Sequence, residues 1–71
     1  MTDFKVGQLV KLVRMLDQGL SAGIGDIGTI EEITTDPEYP INVAWLETGW
    51  VDGVAPSEIR IVKDGIEEVA E

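Results

Sequence analysis

Five short apolar runs, divided by clusters of glycine, proline and aspartate, limit what this chain can fold into. That spacing belongs to a small β-barrel or sandwich. The first run is Phe4 to Val13. In an extended chain Val6, Val10 and Leu12 share one face, and Lys5, Lys11 and Val13 share the other. Leu9, Leu12, Val13 and Leu16 also fit helical spacing, but Gly7 and the β-branched valines favour a strand. Leu16 to Gly25 holds three glycines and reads as a loop. Gly25 to Ile33 reads as a turn feeding a second strand, in which Ile30 and Ile33 break strict alternation. A β-bulge near Glu31-Glu32 would return both to the core.

A second loop follows at Thr34 to Pro40, with two prolines and a turn-forming Asp36-Pro37. Ile41, Val43 and Trp45 then alternate along a third strand, which makes Trp45 a core residue. Glu47-Thr48-Gly49 reads as a hairpin turn and Trp50 to Val54 as the fourth strand. Trp50 is left open between core and surface, because Val51 competes with it for the inward position. Pro56-Ser57-Glu58 suggests a 3₁₀ turn, and Ile59 to Val62 the fifth strand. The expected common core is Val10, Leu12, Ile30, Val43, Trp45, Ile59 and Ile61. Residues 63–71 read as a flexible, frayed acidic tail, so residues 1–62 form the one domain that 71 residues allow.

The residue types exclude several chemistries. There is no cysteine and no histidine, so disulfides, thiolate chemistry and the commonest acid–base and metal-ligating side chain are all missing. Fourteen acidic residues against five basic ones give a net charge of −9. Such a chain is poorly suited to neutralising phosphates or to an anionic membrane surface, and it favours basic partners. Glu31 and Glu32 point to opposite faces of an extended strand, which does not suit a paired-carboxylate active site. No acidic spacing fits a calcium loop. The expectation is a binding protein and not an enzyme, with no catalytic residue, no cofactor and no metal. The start Met1-Thr2-Asp3-Phe4 lacks the basic and apolar regions of a secretory signal, no run reaches the length of a membrane span, and a cytoplasmic location is expected.

Two segments carry a resemblance. Val6-Gly7-Gln8-Leu9-Val10-Lys11-Leu12 places a glycine just before an alternating strand. Gly25-Asp26-Ile27-Gly28-Thr29-Ile30 is a G-x-x-G-T-hydrophobic segment, followed by Val43-x-Trp45 and Pro56-Ser57-Glu58-Ile59. Over Phe4 to Val62 this order resembles SH3-like barrels with KOW-like and Mind-bomb-like patterns, and small SH3-like proteins encoded by bacteriophages. The resemblance implies an all-β, five-stranded SH3-like barrel. KOW-like members often contact RNA or ribosomal and transcription proteins through basic loops. The corresponding loops here are acidic or neutral (Asp17, Asp36, Glu38, Glu47).

The reading that follows is a small acidic protein-interaction module, a phage or bacterial accessory protein with a basic protein partner. The expected contact residues are Asp36, Glu38, Tyr39 and Trp50. They are expected to lie together, with the loops after the first and second strands at one end of the barrel. One alternative is an acidic DNA mimic, with Asp26, Glu31, Glu32, Asp36, Glu38, Glu47 and Asp52 standing in for phosphates. Another is a weak nucleic-acid binder through Lys11, Arg14 and Arg60. The oligomeric state is not legible.

Overall fold

Alternating apolar residues turn the chain into strands, and a computed structural model describes residues 4–16, 22–63 and 66–67. The strands are β1 (Leu9–Leu12), β2 (Ile27–Ile33), β3 (Ile41–Trp45), β4 (Val51–Val54), β5 (Ile59–Lys63) and β6 (Ile66–Glu67). A 3₁₀ turn, Pro56–Glu58, leads into β5. All pairings are antiparallel, in the order β4-β3-β2-β1-β5-β6. No α-helix occurs among the described residues, and none of their helical segments is long and apolar enough to cross a membrane.

The sheet curls so that β4 and β5, four places apart in its order, feed one core. Val10, Leu12, Ile30, Ile41, Val43, Trp45, Val54, Ile59 and Ile61 form a single buried cluster. All seven residues expected to share the core are in it. The register explains why. Val10 lies opposite Gly28 on β2 and Ile61 on β5, while Ile30 lies opposite Val43, so each inward residue meets another across the ladder. The register of β2 against β3 shifts between Ile30 and Glu32, at the position expected for a bulge. The bulge brings Ile33 opposite buried Ile41, yet Ile33 stays 43% exposed because it lies at the end of the strand.

Three expectations change in detail. Among the described residues the sheet is not closed: β4 and β6 stand at its two ends and do not pair with each other, so these strands form an open curled sheet where a barrel is expected. The first strand is shorter than the apolar run, because Gly7 adopts φ +96° and turns the chain, leaving Val6 exposed. The fifth strand runs to Lys63, and Ile66–Glu67 return against Val62 and Lys63 as β6 where a frayed tail is expected. Residues 64–65 and 68–71 of that tail, and residues 17–21 of the glycine-rich loop, lie outside the described residues.

Gly28 is required by packing. A Cβ there would run into Val43 Cγ1 and come within 2.8 Å of both the Ala44 carbonyl oxygen and Trp45 Cε3. The missing side chain leaves the space that Val43 Cγ1 and the edge of the Trp45 ring share.

Candidate functional site

The β3–β4 hairpin places one tryptophan inside and the other outside. Trp45 is buried, and its indole Nε1–H donates to Asp52 Oδ2 at 2.8 Å. The Trp45 N–H donates to the Trp50 carbonyl at 2.9 Å, and the Gly49 N–H to the Trp45 carbonyl at 2.7 Å, with Gly49 at φ +77° closing the turn. Trp50 therefore sits across from Trp45 at the margin of the sheet, where among the described residues no strand lies beyond β4 to cover it. It is 66% exposed, and Leu46 at 62% and Val51 at 49%, the latter on the other face of the strand, are exposed as well. Three large apolar side chains thus project from one hairpin end. An exposed tryptophan of this kind is a typical interface anchor.

The turn before β2 meets the same end. The Leu46 N–H donates to the Ile27 carbonyl at 3.0 Å. An open depression of about 370 Å³ lies there, lined by Gly25, Asp26, Ile27, Leu46 and Glu47. Asp26 also holds its own turn, accepting the Gly23 N–H on Oδ2 at 2.9 Å. Apolar side chains and carboxylates therefore both line this end of the molecule.

The structure places the expected contact residues in two groups. Asp36, Glu38 and Tyr39 lie in the loop between β2 and β3. Asp36 Oδ1 accepts the N–H groups of both Glu38 and Tyr39 at 2.8 Å. These two bonds, that from Tyr39 foremost, hold the Asp36 carboxyl below the usual aspartate range. Thr34 closes the loop from the other side, its N–H and Oγ1 both donating to the Pro40 carbonyl at 2.7 and 3.1 Å. The loop is thus pre-shaped, with Glu38 exposed and Tyr39 half-buried.

Trp50 is not beside it. Antiparallel strands alternate their connections between the two ends of a sheet, so the loops after β1 and after β2 are at opposite ends. Trp50 shares its end with the turn after β1, about 13 Å of β3 away from the Asp36 loop. What the two groups have in common is β4. Trp50 immediately precedes it, and the Tyr39 carbonyl oxygen stands 3.3 Å from the point where Gly53 would carry a Cβ.

One polar residue at the heart of the fold was not legible in the sequence. Glu58 is 0% exposed, the only buried charged residue among those described. Its Oε1 accepts the Ala55 N–H at 2.7 Å and its Oε2 the Leu16 N–H at 2.9 Å. Its carbonyl accepts the N–H groups of Val13 and Arg14 at 2.8 and 3.2 Å. Glu58 thus ties the 3₁₀ turn to the chain leaving β1. The usable signal was Pro56-x-Glu58, in which an acidic third residue of a helical turn reaches back to the residue before it.

The basic residues form a smaller feature. Lys11 and Arg60 lie directly opposite each other on β1 and β5, on the outer face. Among the described residues no cluster of three or more metal-ligating side chains is positioned around a common point. No family model, no curated protein and no solved structure matches this chain.

Proposed function

We propose that this chain is a small acidic protein-interaction module with an SH3-like arrangement of strands, and that it binds a basic protein partner. The observation that carries the reading is Trp50, two-thirds exposed at a hairpin end that also exposes Leu46 and Val51, in a chain of net charge −9. Desolvating an aromatic anchor supplies affinity, and the surrounding carboxylates select partners of opposite charge and speed their encounter. The SH3-like assignment is supported by the placing of β1 between β2 and β5, the bulge in β2 and the 3₁₀ turn before β5.

The test is capture from a lysate with the immobilised chain and with its Trp50→Ala variant, at low and at moderately raised salt. The reading expects basic proteins that survive moderate salt and are lost with Trp50→Ala. An acidic DNA mimic would give the opposite pattern, with loss in salt and indifference to Trp50→Ala, because charges alone would hold the complex.

A further inference from the structure

The free edge of β4 joins the two groups of candidate contact residues. β4 ends the sheet order, and among the described residues it pairs with β3 alone. The direction of its backbone groups follows from the register. Trp45 and Trp50 face each other with a hydrogen bond, and Asp52 and Val54 lie two and four residues on, opposite Val43 and Ile41. In an antiparallel ladder such bonding alternates. Trp50, Asp52 and Val54 therefore turn their N–H and C=O groups to β3, and Val51 and Gly53 turn theirs away from the sheet.

Natural sheets usually protect such an edge with charge, proline or a covering loop. β4 has no proline and no lysine. Its one charged side chain, Asp52, lies opposite buried Val43 and accepts the buried Trp45 indole, so it points under the sheet and not along the edge. The edge instead carries exposed apolar side chains, Trp50 on the face that Trp45 shares and Val51 on the opposite face. Exposed carboxylates stand at both ends of it, Glu47 in the hairpin turn and Glu38 in the loop whose Tyr39 abuts Gly53.

We propose that this edge takes an extended, basic segment of a partner protein as an added strand, with its backbone bonded to Val51 and Gly53. This deepens the reading above and rests on it. Apolar side chains on one face of the segment would cover Trp50, and Lys or Arg at its ends would meet Glu47 and Glu38. From Trp50 to Gly53 is about 10 Å of strand, so a segment of about five residues spans the site. A second copy of this chain fits less well, because pairing centred on β4 sets Asp52 opposite Asp52 and brings two chains of charge −9 together.

The probe is a hexapeptide alternating lysine and valine, titrated into ¹⁵N-labelled protein. The proposal expects the Val51 and Gly53 amides to shift and to exchange more slowly, with Asp52 and Val54 little changed in exchange. It also expects at least tenfold weaker binding for a peptide N-methylated at alternate residues, which keeps the charge and loses the donors. Val51→Pro, which removes an outward N–H that an edge strand can spare, should weaken the parent peptide as much while leaving the other amide signals in place. Equal binding of the methylated peptide, or shifts centred on Lys11 and Arg60, would overturn strand addition. Strand addition alone fails if binding still disappears with Trp50→Ala in that case. If Trp50→Ala has no effect on any basic ligand, the proposed contact surface fails as well.

Discussion

Glu58 shows how one side chain can hold a domain of this size together. Its carboxylate satisfies two backbone donors from segments far apart in sequence, and its carbonyl accepts two more. The Ala55 N–H is buried while Leu16 is half exposed, and a buried donor left unpaired costs about 1 to 3 kcal/mol. Glu58→Ala is therefore expected to lower stability by about 1 to 3 kcal/mol, read as a drop in the urea midpoint. An unchanged midpoint would mean that water replaces the carboxylate. Asp36 works differently, at the surface. Its pKa is depressed in the folded chain by the Tyr39 and Glu38 amides. Its hold on the loop is therefore fully present above the ordinary aspartate value of about 3.9 and is lost as pH falls through the lower, folded value. Carboxyl ¹³C titration should give a midpoint below that of an aspartate in a short peptide, with the Glu38 and Tyr39 amide signals following it. A midpoint at or above the peptide value would remove those bonds from the account.

At the scale of the strands, β2 and β3 form the ladder on which the tryptophan pair depends. Gly28→Ala would push a methyl group into Val43, the Ala44 carbonyl and the Trp45 ring. Overpacking of this kind costs about 1 to 3 kcal/mol, and it should also broaden the Trp45 indole signal. Val43→Ala removes buried methyl groups from the same ladder and should cost about 1 to 3 kcal/mol in a denaturation series. The strands and their inward faces were legible because period-two alternation is a local property, and a bulge betrays itself where alternation slips, as at Ile30 and Ile33. Strand ends were less legible. Val6 fits the pattern of β1, but Gly7 turns the chain at that point, and β6 is too short to show any period. The exposure of Trp50 was not legible, since it depends on the place of β4 at the end of the strand order of the described residues. For the same reason the sequence could not show that Trp50 and the Asp36 loop sit at opposite ends of β3. Glu58 looked like one more acidic surface residue because its partners, Leu16 and Ala55, are brought to it only by the fold.

Across the whole molecule, the charge of −9 and the apolar hairpin end divide the work of recognition. The charge acts at a distance and is screened within about 10 Å at 0.1 M salt. Raised salt should therefore slow association with a basic partner far more than it speeds dissociation, which stopped-flow mixing can separate. The apolar contact at Trp50 should set the dissociation rate, so Trp50→Ala is expected to shorten the lifetime of the complex at least tenfold. The basic pair Lys11 and Arg60 lies across the sheet from this surface, separated from β4 by β2 and β3. That separation makes amide hydrogen exchange of the labelled chain, free and bound to its captured basic partner, the most direct measurement of where binding occurs. The account predicts slowed exchange at Val51 and Gly53, together with a shift of the Trp50 indole signal, and no change at Lys11 and Arg60. Protection centred on Lys11 and Arg60, with β4 exchanging as in the free chain, would contradict it.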